Sequence, residues 1–160
     1  MAIFMKYGSL KGEVTAEGYL DWIECHSFQF GLGRGISVGT AGASQRESTA
    51  PSISEIQLTK TMSAVDALLW KEALGGKASQ VDIHLTQTDT GGKHIAYQKY
   101  TLKDTLIAGY SIAGQSGGLP TTTLSLNFGE ITSEYIIIDS NFNTKTTGKV
   151  GYDLIKAKLV

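Results

Sequence analysis

Asp89-Thr90-Gly91 is the triplet in this chain with a reaction attached to it. In aspartic proteases it supplies one of two carboxylates that share a proton, so one acts as acid and the other as base. Here the second carboxylate would have to come from a second copy of the chain. The hydrophobic-hydrophobic-glycine segment expected downstream is not evident. Asp and Gly also have their own reasons to occupy a hairpin turn, through side-chain bonding to the nearby backbone and tolerance of unusual dihedrals. We therefore read 89–92 as a turn.

The other chemical signals fail on their own terms. Gly31, Gly33 and Gly35 suggest a phosphate loop, but Ile36 stands where the dinucleotide fingerprint needs its last glycine, and no helix follows. Gly76-Lys77 is followed by Ala78 rather than Ser or Thr, and Lys71 occupies the place of the first P-loop glycine. Cys25 and His26 are neighbours, so on a strand they point to opposite faces and cannot form a nucleophile–base pair. His84 and His94 lie on segments that should pair as a hairpin and approach each other, yet two histidines without a placed carboxylate make a weak metal site. We assign no catalytic residue, no metal site and no cofactor.

Composition narrows the classes further. The 160 residues carry 14 basic and 15 acidic side chains, without the basic excess of a nucleic-acid-binding surface. The longest apolar runs, such as 135–138, are too short to cross a bilayer as a helix. A single cysteine allows no internal disulfide. The start, Met-Ala-Ile-Phe-Met-Lys-Tyr-Gly, lacks an extended apolar region and is not expected to be a cleavable signal peptide.

The elements that must position any site read as strands. Nineteen glycines and two prolines cut the chain into short segments, the punctuation of a sandwich or barrel. Strands are expected over 2–10, 19–30, 53–60, 81–88, 94–102, 106–113, 124–138 and 150–159, with a polar connection over 139–149. In 19–30, Phe28 and Phe30 should face the core and leave Ser27 and Gln29 on a polar surface. One flanking helix is expected over about 63–74, with Ser63 as N-cap, Asp66 completing a capping box, and Trp70 partly buried. A long extended loop is expected over about 31–51, and loops of that length are usually functional or disordered. The 121–138 stretch holds a parity fault: Leu124, Leu126 and Phe128 share one face, whereas Ile131, Tyr135 and Ile137 have the opposite parity. A bend at Gly129–Glu130 would restore the match. The fold class is mainly β, a single-domain antiparallel β-barrel over 1–160.

Taken in order, several segments resemble the Hcp family, the haemolysin-coregulated proteins of bacterial type VI secretion. They are Ala2-Ile3-Phe4-Met5-Lys6 with Lys11-Gly12-Glu13, Trp22-Ile23-Glu24, and Ser27-Phe28-Gln29-Phe30-Gly31. Ile56-Gln57-Leu58-Thr59-Lys60 follows ahead of the helix, then Val81-Asp82-Ile83. Tyr100 through Ile107, the Gly114–Gly118 turn, and Leu124 through Ile131 with Tyr135 complete the set.

The resemblance implies a barrel that assembles into homohexameric rings, stacked into a tube inside a contractile sheath. The tube is expelled with a spike protein at its tip and can carry small effectors in its lumen. Assembly would occur in the bacterial cytoplasm, with secretion needing no cleavable signal peptide. On that reading Ser27 and Gln29 are candidates to line the lumen, and Arg46 and Glu47, on the long loop, to join stacked rings. Asn127, Ser133 and Glu134 are candidates for ring contacts. Neither nucleic acid nor membrane insertion is expected. The alternative is a monomeric barrel that binds a small ligand.

Overall fold

A computed structural model describes residues 1–39 and 47–160, with the Glu47 side chain left aside. Among these residues the chain forms strands β1 Ala2–Tyr7, β2 Ile23–Cys25, β3 Ser27–Gln29, β4 Leu32–Gly33, β5 Ile36–Ser37, β6 Glu47–Ser48, β7 Ser52–Ile53 and β8 Ile56–Thr61. Helix α1 (Asp66–Gly75) is followed by β9 Ser79–Thr88, β10 His94–Ala113, β11 Thr121–Asn127, β12 Glu130–Ile138, β13 Thr144–Asp153 and β14 Lys158–Leu159. The mainly β, antiparallel class with one helix is observed.

The parity fault is resolved where the sequence places it. β11 ends at Asn127 and β12 begins at Glu130. Phe128 is buried, and Gly129 turns the chain between them, donating to the Lys103 carbonyl at 2.9 Å and accepting from the Leu154 amide at 2.8 Å. A Cβ on Gly129 would stand 2.9 Å from Ile155 and 3.2 Å from the Asp104 Cβ, so the close approach needs glycine. Ile131 lies in the core, but Tyr135 and Ile137, on the same face, are about half exposed because the face outruns its cover.

β10 is the partner that makes the bend possible. The separate strands expected at 94–102 and 106–113 are one strand of 20 residues. Its first half pairs with β9 and β12, its second half with β11. Register shifts between Ala96 and Gln98, Leu102 and Thr105, and Ile107 and Gly109 each insert an extra residue into β10. Bulges increase local twist, and Asp104 sits at a φ of 51° in the middle one. Strand and partner therefore turn one corner together.

The corner divides the structure into two walls. Wall A contains β2, β1, β9, the first half of β10, β12, β13 and β14; wall B contains the second half of β10, β11, β8 and β3. Their inner faces pack on each other through Met5, Ile23, Val81, Ile83 and Leu102 from A and Ile56, Leu58, Leu124 and Leu126 from B. The predicted strand over 19–30 is two strands, because the chain changes wall at His26. Ile23 and Cys25 are buried toward wall A's interior, and then Phe28 turns inward from wall B, stacked on Tyr100 at 5.0 Å. The His26 amide bonds the Thr59 carbonyl at 2.7 Å, so chain continuity links the walls there. The expected barrel is not closed by one continuous ladder.

The helix starts later than expected. Val65 occupies the N-cap position with helical dihedrals and no side-chain cap. The Ser63 hydroxyl is instead drawn to Lys60 Nζ at 2.9 Å, while Asp66 reaches back to the Ser63 amide at 3.3 Å. Lys60 and Asp66 form an ion pair in which both side chains are almost fully buried. Thr122 and Tyr110 also donate to Asp66, at 3.2 Å from Tyr110. Burial would push the Asp66 carboxyl up, but bonds from Lys60 and Thr122 outweigh it and hold it below its usual range. Trp70 is half exposed and stacks on Tyr110. Leu74, at the end of the helix, is exposed.

The long loop over 31–51 is partly a hairpin arm, with short ladders β4–β7 and β5–β6 in its described part. Arg46 lies outside the described residues, and of Glu47 only the backbone, in β6, is placed. The polar connection at 139–149 is likewise half strand, since β13 begins at Thr144. Its pairing with β12 shifts register near Gly148, whose φ of 96° suits glycine.

Candidate functional site

Ser27 and Gln29 are both exposed on β3, on the outward face of wall B. Their cross-strand partners on β8 are Thr59 and Gln57, and the Ser27 and Thr59 hydroxyls are hydrogen-bonded. The register continues the rows onto β11. Gln57 faces Ser125, Thr59 faces Thr123, and Thr61 faces Thr121. β10 closes the rows with Gly109, Ser111 and Ala113. The two residues read from the sequence are thus one corner of a larger surface. It is a face of hydroxyl and amide side chains on β3, β8 and β11, edged on β10 by Ser111 with Gly109, Ala113 and Leu106, and its strand positions carry no charge.

The missed members had a sequence signal. Gln57-Leu58-Thr59-Lys60-Thr61 and Thr121-Thr122-Thr123-Leu124-Ser125-Leu126-Asn127 each alternate with period two, one polar set against one inward set. Lys60 disguises the first pattern, because a lysine in the inward set looks like an outward residue. Its ammonium is satisfied internally by Asp66, Ser63 and the Thr61 carbonyl. Asn127, a candidate for ring contacts, is exposed on this same outward face opposite Leu106.

Wall A shows a different outer face. One row runs His84, Lys99, Glu134, Lys149 across four strands. A second runs Lys6, Asp82, Thr101, and a third Lys103, Glu130, Asp153. Lys103 and Glu130 approach to 3.8 Å, and Thr101 donates to Asp82 at 3.2 Å. Glu134 belongs to this face and accepts from Thr146 at 2.7 Å. Ser133 does not point outward as expected. It shares the inner parity of Ile131 and accepts from Gln98 at 2.7 Å.

The residues considered for catalysis are occupied otherwise. The Asp89 carboxylate accepts from the Gly91 and Lys93 amides at 2.8 and 2.9 Å, an Asx turn that closes the β9–β10 hairpin. Cys25 is buried, and burial pushes its thiol up to about 12, with Lys60 pulling the other way. His26, on the opposite side, bonds Thr61 at 2.6 Å. His84 and His94 sit on different rungs of the β9–β10 ladder, opposite Lys99 and Thr88, and each flanks Tyr19, with ring centroids 5.6 and 6.5 Å from it. Among the described residues no three His, Cys, Asp or Glu side chains gather as a metal site.

A protein-family comparison decides the assignment: the family described as "Type VI secretion system effector, Hcp" matches residues 4–135. The chain belongs to the Hcp family. Its fold is similar to a structure described as that of a type six secretion system protein, with a TM-score of 0.90 at 22% identity over 99% of each chain. It is similar to Hcp1 from Salmonella typhimurium, with a TM-score of 0.75 at 22% identity, covering 99% of this chain and 98% of that one. A type VI secretion system effector from Yersinia pestis has a TM-score of 0.70 at 15% identity, covering 94% and 98%. No curated protein matches the chain. These Hcp likenesses run through the wall A–wall B arrangement that carries the uncharged face.

Proposed function

We propose that this Hcp protein is a structural subunit of a type VI secretion tube rather than an enzyme. Six copies form a ring, and rings stack into a tube within a contractile sheath and beneath a spike protein. The tube is assembled in the bacterial cytoplasm and expelled from it, with small effectors in its lumen. The observation that carries this reading is the uncharged face built on Ser27, Gln29, Thr59, Thr123 and Ser125.

A lumen must hold cargo and let it leave. Hydroxyl and amide groups exchange hydrogen bonds with water at small net cost, so they grip no surface strongly. A fixed charge would attract one class of cargo and repel another over several ångströms. The charged rows of wall A suit contacts that must choose a partner and a register. A ring of identical subunits needs head-to-tail interfaces of that kind. The arm extends this logic, since Leu32, Ile36 and Val38 on it are exposed apolar side chains awaiting a cover. We assign ring-to-ring contact to the arm, with Arg46 and Glu47 as its charged participants.

Size-exclusion chromatography with light scattering, followed by negative-stain microscopy, tests this function. Rings of about 100 kDa, six chains of 17.1 kDa, are expected. A stable 17.1 kDa monomer would favour a small-ligand-binding barrel instead. Deleting residues 40–48 should leave rings intact and abolish stacked tubes; tubes formed by the deletion variant would remove the arm from the account.

A further inference from the structure

Leu10 and Ile23 both pack into the core, and residues 11–22 between them fold over the outer face of β1 and β9. The backbone bonds of this segment close within it. Gly12 donates to the Asp21 carbonyl at 2.8 Å, Val14 to the Trp22 carbonyl at 3.1 Å, and Asp21 to the Val14 carbonyl at 2.9 Å. Among the described residues no backbone–backbone bond joins 11–22 to β1 or β9. A hairpin this small is marginal on its own in water. Closure also holds Asp21 at a φ of 65°, which few non-glycine residues adopt. Side chains must therefore hold the segment down.

An aromatic lock does so. The buried Tyr19 ring stacks on Phe4 of β1 with centroids 4.5 Å apart, and Trp22 meets Tyr19 edge-on at 5.0 Å. His84 of β9 touches both residues of the segment. Its ring lies 4.7 Å from Trp22, and its Nδ1 lies 3.0 Å from the Tyr19 hydroxyl. His94 of β10 reaches the same rings from another rung, edge-on to Phe4 at 5.1 Å. Glu13 adds a longer tie, accepting from the Val65 amide at 3.3 Å.

The charges around the lock come from every strand of wall A nearby. The rung through His84 runs Glu24 on β2, Phe4 on β1, Lys99 on β10, Glu134 on β12. Asp82 shares the outer parity of β9 and faces Lys6. Glu17 of the segment, with Asp89 and Lys93 of the β9–β10 hairpin, lines the cavity beside Tyr19, His84 and His94. Burial and Lys99 outweigh the attraction of Asp82 and Glu134, and hold the His84 imidazole neutral down to about pH 4.

We propose that residues 11–22 form an acid-released flap, in which protonation of His84 breaks the aromatic lock and frees Tyr19 and Trp22 from wall A. A solvated imidazole in the open flap takes its proton near pH 6.5, and the closed one only near 4. Opening is therefore unassisted above pH 6.5. It becomes more favourable as pH falls through that window, by up to about 300-fold below pH 4.

Hydrogen exchange of the full chain, read by mass spectrometry and corrected for the intrinsic pH dependence of exchange, tests the flap. Protection of the Gly12, Val14 and Asp21 amides should fall about 100-fold from pH 7 to pH 4, while β8 and β11 keep theirs. His84→Gln should remove that fall. Lys99→Met, which lifts one brake on protonation of the closed form, should shrink it; a merely loosened flap would instead exchange faster by the same factor at both pH values. The proposal is overturned if 11–22 stays protected at pH 4, or if β8 and β11 lose protection in parallel. An equal fall in His84→Gln, or an undiminished one in Lys99→Met, overturns it as well.

Discussion

The two walls place their charges oppositely. Wall B has no charge on its outward strand face, yet its inner face holds Lys60 in an ion pair with Asp66 of the helix. Wall A packs uncharged residues such as Met5, Ile83 and Leu102 into the core from its inner face, and its outer face is crossed by rows such as Lys99, Glu134, Lys149. Burying a charge pair is expensive unless every partner is in place. Thr122, Tyr110 and Ser63 are in place here. The pair ties the helix to β8 from within. Wall B therefore carries its electrostatic anchor inside and leaves its outer surface free of fixed charge.

Removing half of that anchor should have the largest effect on the comparison. Lys60→Met leaves a carboxylate buried without its cation, and should cost about 3–5 kcal/mol of stability in urea unfolding. Lys60→Met combined with Asp66→Leu should recover most of it; no recovery would mean that the pair is not the anchor. Gly129→Val attacks the junction of the walls by forcing a side chain against Ile155 and Asp104, and should cost about 1–3 kcal/mol. A variant as stable as the parent would show that the bend does not depend on close approach.

Wall A should also give a distinct response to acid. Burial pushes His84 down to about 4 from its usual 6.5, with Lys99 acting in the same direction and Asp82 and Glu134 against it. The unfolded chain takes up this proton near pH 6.5, and the folded chain only near 4. The contribution is fully present above pH 6.5, and is lost as pH falls from 6.5 to about 4. In His84→Gln, which keeps a partner for Tyr19, the fall in stability across that window should be shallower. An identical slope would show that His84 is not what titrates. The smallest effects should come from surface charge. Glu134→Lys places a third lysine in the row with Lys99 and Lys149, and should cost about 0.5–1 kcal/mol. Thr123→Lys on wall B should change stability by less than about 0.5 kcal/mol, and should impair retention of an effector while rings persist. Equal effects of the two lysines on stability would erase the contrast between the faces.

Much of the architecture was legible because period-two patterning is local. The fault at Phe128–Ile131 announced the corner, and the Asp89–Gly92 turn and the Asp66 bond to Ser63 followed from side chains that bond nearby backbone. The resemblance of segments such as Ser27-Phe28-Gln29-Phe30-Gly31 supplied the family. What stayed hidden depends on long-range pairing. The break at His26 arises because Ser27–Gln29 finds β8 whereas Ile23–Cys25 finds β1, and alternation alone cannot reveal two partners. Ser133 and Glu134 are adjacent and so cannot share a face; register against Tyr100 and Lys99 decides which points inward. The helix start moved because Lys60, six residues before Asp66, captured the Ser63 hydroxyl. Of the uncharged face, Ser27 and Gln29 were seen, and the remainder emerged only when β8, β11 and β10 were aligned.

Cryo-electron microscopy of the purified assembly at side-chain detail tests the central claim most directly. The account predicts six-membered rings in which Ser27, Gln29, Thr59 and Thr123 face the central channel, while Lys99 and Glu134 do not. Rings that turn the Ser27–Thr123 face outward or bury it between subunits, or an absence of rings, would contradict it.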